Sequence, residues 1–196
     1  MTLETKLNQA YWDSRYIDQQ TGWDIGYANP VLVDFIFAHF TKDAKILIPG
    51  LGNGYELELL WKKGYKKSYG IDLARTPREA FLARNPDFPG KQYLIEDFFL
   101  HNAKYDVIVE QTFFCALDPK LRENYVRKMA ISLNPGGSLF GLLFDFEKKD
   151  GPPFGGSFEE YLNLFSADFE IVTMEKCMQS IAPRQGNELF FHLRKK

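Results

Sequence analysis

Little in this sequence is set aside for covalent or metal-based stabilisation. Two cysteines, Cys115 and Cys177, stand in 196 residues, which is no disulfide framework. Neither belongs to a Cys/His cluster with ligand spacing, so no metal site is expected. Histidine is equally scarce, with only His39, His101 and His192. None lies in a motif that marks a general base: His39 and His192 read as structural, and His101 reads as solvated. An excess of one charge is also missing. Twenty-four Lys and Arg face 26 Asp and Glu, for a net charge of -2, which speaks against a nucleic-acid-binding face. No apolar run reaches the roughly 18 residues that would span a bilayer. The opening Met1-Thr2-Leu3-Glu4-Thr5-Lys6 lacks the apolar core of a signal peptide. Internal repeats, low-complexity stretches and charge blocks are absent. These absences lead to a cytoplasmic protein of one domain, with no nucleic-acid or membrane partner.

Aromatic residues are what the chain has in quantity: 16%, including 18 Phe. That supply fits a dense core or a ring-lined pocket. The hydrophobic pattern then divides the chain. Up to residue 42 only helices are expected, one over 3–20 and one over 31–40, the second opened by Asn29 as cap and Pro30 in its first turn. From residue 43 strand and helix alternate. Strands are expected over 45–49, 68–71, 92–95, 106–110, 138–144, 169–177 and 188–193, and helices over 55–63, 76–84, 119–133 and 158–165. This alternation predicts an α/β fold, a doubly wound and mostly parallel seven-stranded sheet with helices on both faces and a helical lid in front. The short Pro/Gly connection before the last strand predicts a hairpin, with that strand antiparallel at the sheet edge.

The chain is organised around Ile46-Leu47-Ile48-Pro49-Gly50-Leu51-Gly52-Asn53-Gly54-Tyr55-Glu56. A buried strand runs into three alternate glycines, which allow a tight turn and close approach of a ligand. A helix then starts with its N-terminal amides toward the turn. Asp72 ends the next strand, where an acid can accept hydrogen bonds from a ribose. Asp97 follows the third strand beside Phe98, where an acid and a ring can read an adenine. A nicotinamide dinucleotide would require a third glycine where Tyr55 stands. S-adenosylmethionine has no pyrophosphate, and its carboxylate and ammonium can pack against glycines of this spacing.

Several longer stretches carry a resemblance. They are Trp12 with Arg15-Tyr16, Gly22-Trp23-Asp24-Ile25-Gly26, Asn29-Pro30, Gly70-Ile71-Asp72-Leu73, Glu96-Asp97-Phe98-Phe99, Thr112-Phe113-Phe114-Cys115-Ala116-Leu117-Asp118-Pro119, Gly151-Pro152-Pro153-Phe154 and Pro183-Arg184. In these the sequence resembles the thiopurine methyltransferase family, and more closely its thiol and halide methyltransferase branch. The resemblance implies a class I methyltransferase of one domain, with residues 1–42 as lid and 43–196 as core. It implies S-adenosyl-L-methionine as cofactor, S-adenosyl-L-homocysteine as product, and a small-molecule acceptor, foremost a soft sulfur nucleophile such as a thiol, hydrosulfide or thiopurine. Halide, oxygen, nitrogen or metalloid acceptors are the alternative, as is a cofactor-binding relative without turnover. Trp12, Trp23, Gly50, Gly52, Gly54, Asp72, Leu73, Asp97, Phe98 and Gln111 are implied on the cofactor side. Phe114, Arg122, Phe154 and Arg184 are implied on the acceptor side. Phe144 stands where halide-methylating relatives often carry Tyr, which counts against halides. Cys115, with no histidine near it in sequence, reads as a packed residue rather than a nucleophile, and no catalytic acid or base is assigned.

Overall fold

The computed structural model describes residues 7–196, in two compact units that meet in sequence at His101 and Asn102. The expected start of the first helix at residue 3 lies outside the described residues.

The first unit holds α1 (Gln9–Ile17), α2 (Pro30–His39), β1 (Ile46–Pro49), α3 (Tyr55–Lys62), β2 (Ser68–Asp72), α4 (Thr76–Arg84) and β3 (Tyr93–Ile95). β1 is buried at all four positions, as an uninterrupted apolar run in a parallel sheet should be. It pairs in parallel with β2, which pairs in parallel with β3, so that Pro49 lies opposite Ile71 and Asp72 opposite Ile95. α2 begins as its sequence dictates: Asn29 Oδ1 accepts the Val31 N–H at 3.1 Å, with Pro30 at the first position. α3 starts at Gly54 in the left-handed conformation, φ 73°, with no side-chain cap.

The second unit holds β4 (Tyr105–Gln111), α5 (Arg122–Ser132), β5 (Leu133–Phe144), α6 (Phe158–Phe165), β6 (Phe169–Lys176) and β7 (Glu188–Lys195). Val107, Ile108 and Val109 are fully buried in β4, and each such side chain contributes about 1.5–3 kcal/mol by leaving water. β4 and β5 are parallel, and β7 is antiparallel to both β5 and β6.

The sheet order is β3-β2-β1-β4-β5-β7-β6. The mostly parallel, seven-stranded α/β fold with an antiparallel last strand is therefore as expected. The place of that strand is not: β7 lies between β5 and β6, and β6 forms the edge. The reason is the character of β7, whose Leu189, Phe191 and Leu193 are at most 1% exposed and need cover from two neighbours. The helix expected from residue 119 begins as one 3-10 turn, Pro119–Leu121, because the Asp118 carboxylate accepts the Lys120 N–H and holds that turn tight. His101 is buried rather than solvated, its Nδ1 paired with the Glu96 carboxylate. Among the described residues no helix is long and apolar enough to cross a membrane.

Candidate active site

In the first unit the three glycines after β1 all have positive φ, 63° at Gly50, 56° at Gly52 and 73° at Gly54. A side chain would be strained there, and two positions also lack room for one. A Cβ on Gly54 would come within 2.7 Å of Phe81 Cδ2, and one on Gly52 within 2.9 Å of the Tyr16 hydroxyl. The loop is thus bare backbone under packed rings, the surface a small amino-acid-like group requires. Asp72, at the end of β2, fastens it: one carboxylate oxygen accepts the Gly52 N–H and the other the Ala74 N–H, each at 2.8 Å. Burial raises the Asp72 pKa, and these main-chain donors oppose the rise. With the Leu73 N–H these make three main-chain donors, against about four acceptor positions on a carboxylate. The Tyr93 hydroxyl donates to the Gly52 carbonyl at 2.5 Å and closes the underside of the loop.

The helical segment in front supplies rings. Trp12 and Trp23 meet edge to face at 5.6 Å, Tyr16 and Trp23 likewise at 5.8 Å, and the Trp23 indole donates to the Tyr16 hydroxyl. Burial, with Asp72 second, pushes the Tyr16 pKa upward. What holds α1 here is Asp13, which accepts the Arg75 and Thr76 N–H groups and the Thr76 hydroxyl at 2.8–2.9 Å, acting as the cap that α4 lacks in its own sequence. Asp24 ties the loop after α1 by bonding to the Asn53 side chain and to the Gly26 N–H. After β3 the Asp97 carboxylate accepts the Phe99 N–H at 2.8 Å, and Phe98 is buried against Phe99. Trp12, Trp23, Gly52 and Asp72 are thus brought into one cluster through Tyr16. Leu73 is half-buried beside it, and Asp97 and Phe98 follow the strand next to Asp72.

In the second unit Gln111 is half-buried at the end of β4, opposite Leu142. Thr112 follows with φ 56°, a strained value for a β-branched residue. Glu110 sustains that turn. It is wholly buried; Oε1 accepts the Phe113 and Phe114 N–H groups at 2.8 and 2.9 Å, and Oε2 accepts the Tyr125 hydroxyl at 2.5 Å. Burial lifts its pKa to about 7 against these bonds. A small cavity opens here, about 10 Å³, lined by Glu110, Thr112, Phe114, Cys115, Leu142, Leu143, Phe144 and Glu188. Phe114 and Phe154 are buried, and the Phe154 N–H donates to the Cys115 carbonyl at 2.7 Å, which draws the Gly-Pro-Pro-Phe loop onto the turn. The buried Cys115 thiol donates to the Thr112 carbonyl, and burial drives its pKa up, so it is the packed thiol its sequence context indicated.

Arg122 and Arg184 are both buried and both matched by acids. Arg122 is paired with Glu160, donates to the Gly155 carbonyl at 2.6 Å, and lies 4.8 Å from the Phe114 ring centre. Arg184 faces Glu188 at 3.4 Å and lies 5.6 Å from the Phe144 ring centre. Sequence reasoning missed Asp13, Glu110 and Glu188. Glu110 leaves a trace, an acid at the end of an apolar strand; Asp13 and Glu188 leave none, since their partners are remote or uncovered only by folding.

The bare glycine loop, the acid fastened to it and the ring cluster fit S-adenosylmethionine. Comparison with known proteins agrees. The family model for thiopurine S-methyltransferase matches residues 7–192. A probable thiol methyltransferase 2 from Arabidopsis thaliana is 30% identical, over 90% of this chain and 81% of its own. Thiocyanate methyltransferase 1 of Brassica oleracea is 28% identical, over 95% of this chain and 85% of its own. Among solved structures, the 1,6-didemethyltoxoflavin-N1-methyltransferase of Burkholderia thailandensis, crystallised with S-adenosylhomocysteine, has the same fold at a TM-score of 0.79, with 18% identity and 98% and 89% of the two chains covered. The chain belongs to the thiopurine S-methyltransferase family and is an S-adenosylmethionine-dependent methyltransferase.

Proposed function

We propose that the enzyme methylates the sulfur of a small acceptor of the thiol type. The observation that carries this reading is the cavity after β4, with room for about one water-sized group, where Phe114, Leu142, Leu143 and Phe144 face Thr112, Cys115, Glu110 and Glu188, a lining that suits a single polarisable atom that sheds its water easily. The names of the plant relatives, thiol and thiocyanate methyltransferases, point the same way.

The cofactor supplies an electrophilic methyl group on a sulfonium. Everything else falls to the chain. Gly50, Gly52 and Gly54 offer main-chain groups to the amino-acid end of the cofactor, and Asp72, with Leu73 beside it, offers its remaining acceptor capacity to ribose hydroxyls. Asp97 and Phe98 would take the adenine, and Gln111 is the residue of the second unit that the family resemblance puts on the cofactor side. Trp12 and Trp23, in a lid whose described part is residues 7–42, would exclude water and favour the sulfonium charge. Phe114 and Phe154 would wall the acceptor, with Arg122 against the Phe114 ring and Arg184 against the Phe144 ring. Alignment and dehydration then supply the rate of the methyl transfer itself. We place the enzyme in the cytoplasm, in keeping with its composition.

Calorimetry with S-adenosylmethionine and S-adenosylhomocysteine, followed by methyl-transfer assays on thiols, hydrosulfide, thiocyanate, iodide and a thiopurine, tests this reading. Transfer to the sulfur acceptors above the rest is expected. Transfer confined to oxygen or nitrogen compounds would refute it.

A further inference from the structure

Two carboxyl groups line the acceptor cavity, and they are not equivalent. Both oxygens of Glu110 are hydrogen-bonded, one to two main-chain N–H groups and the other to the Tyr125 hydroxyl. Glu188 is 2% exposed, and its Oε2 is buried without a hydrogen-bond partner among the described residues. The rest of the carboxyl is held by Arg184 Nη1, a long 3.4 Å contact on Oε1, and by the Ser180 hydroxyl. A buried acceptor with no donor is rare in a folded chain and calls for an explanation. Glu188 opens β7 opposite Phe144, the last residue of β5, so β-sheet pairing fixes it at the cavity.

The charges around it settle what the cavity can admit. Arg184 answers Glu188, Arg122 answers Glu160, and Lys176 answers Asp145 beyond the end of β5. Glu110 and the neutral Cys115 complete the polar lining, and among the described residues that line the cavity none is a cation that could meet an arriving anion. An acceptor that carries its own proton meets no such obstacle, and the bare oxygen of Glu188 is the donorless group it would satisfy.

We propose that the acceptor enters as a neutral S–H compound and that Glu188 Oε2 takes its proton. The S–H bond breaks, its electron pair stays on sulfur, and the proton forms the O–H bond of a neutral Glu188, which later returns it to solvent. Burial raises the Glu188 pKa, which suits it to receive a proton. This inference rests on the sulfur-methylating reading above.

The test compares an uncharged aliphatic thiol, only a few per cent ionised at neutral pH, with thiocyanate, which has no proton to give. In Glu188→Gln, kcat/KM for the thiol falls by about 100-fold or more, the usual scale of a positioned base, while that for thiocyanate rises severalfold because a negative charge has left the cavity. Calorimetry with S-adenosylhomocysteine present reads the same charge without turnover: thiocyanate binds Glu188→Gln more tightly than wild type. In the wild-type protein thiocyanate binding tightens as pH is lowered and Glu188 is neutralised. Glu188→Asp, which keeps the carboxylate, retains thiol activity within about tenfold of wild type. An equal loss on both acceptors, an unchanged thiol rate, or wild-type thiocyanate binding indifferent to pH would overturn the proposal. Should wild type methylate no sulfur acceptor at all, the reading beneath it falls too, an outcome the wild-type assay alone identifies.

Discussion

Asp72 and Glu110 occupy similar places, one at the end of β2 and the other near the end of β4, and both accept main-chain N–H groups at 2.8–2.9 Å. Both have pKa values raised by burial. Their donors differ in origin. Asp72 draws one from the glycine loop 20 residues away and the others from its own turn. Glu110 draws both N–H groups from the turn that follows it, and Tyr125 takes its second oxygen. An acid that fastens a remote loop from a half-buried strand end is placed for recognition. An acid wholly buried and held by its own turn and a tyrosine is placed to hold shape, here the strained Thr112 turn that walls the acceptor cavity.

The comparison breaks most visibly if the glycine loop tolerates side chains. Gly54→Ala should lower stability by about 2–5 kcal/mol, from about 1–2 for the left-handed conformation and 1–3 for overpacking, since the new methyl would sit 2.7 Å from Phe81. Urea unfolding measures this, and a loss below about 1 kcal/mol would mean that the loop is not held as described.

Glu110 makes a claim of the same order with a distinctive pH signature. Its native pKa, about 7, lies above the ordinary 4.5. Below the ordinary value the carboxyl is protonated whether folded or not, and the native preference for the proton is fully present. As pH rises from there the unfolded chain loses its proton first, the native state holds on to it, and that contribution is lost until the native group ionises near 7. Glu110→Gln removes the effect. The stability of the variant relative to wild type should climb by up to about 3 kcal/mol between mildly acid and mildly alkaline pH, at about 1.4 kcal/mol per pKa unit. Unfolding curves for both proteins at several pH values give the difference directly, and a flat difference would place Glu110 among ordinary carboxylates.

Much of the first region was legible in the sequence because its devices are local. Three alternate glycines, Asn29-Pro30 at a helix start and acids at strand ends each announce themselves within a few residues, and the structure has them as loop, cap and strand terminus. The sheet was legible for the same reason, strand by strand. The position of β7 was not, because strand order depends on which faces need cover and not on any one segment. His101 looked solvated since its partner, Glu96, is reached only when the chain turns back at Asp97. The acceptor side was read least well. Arg122 and Arg184 look alike in the sequence as cations available to a substrate, and only folding reveals that Glu160 and Glu188 answer them.

Asp72→Ala sharpens the recognition half of the comparison. The variant loses a charged acceptor for Gly52 and Ala74 and for the cofactor ribose, so affinity for S-adenosylhomocysteine should drop by about 30-fold, or roughly 2 kcal/mol. Unchanged affinity would show that Asp72, like Glu110, serves the fold alone.

The smallest effect belongs to the ring cluster, and it separates shape from hydrogen bonding. Trp23 touches Trp12 and Tyr16 edge to face and donates its indole N–H to the Tyr16 hydroxyl, and that hydroxyl stands over Gly52. Trp23→Phe keeps a ring in the cluster but leaves the hydroxyl without this donor, at a cost of about 1 kcal/mol. If the cluster orders the lid over the glycine loop, that loss should appear as an approximately fivefold weaker binding of S-adenosylhomocysteine, with thermal stability little changed because Trp23 is only half-buried. If the rings act by packing alone, affinity stays within error and stability falls instead. The balance between those two readouts decides whether Trp23 belongs with Asp72 or with Glu110.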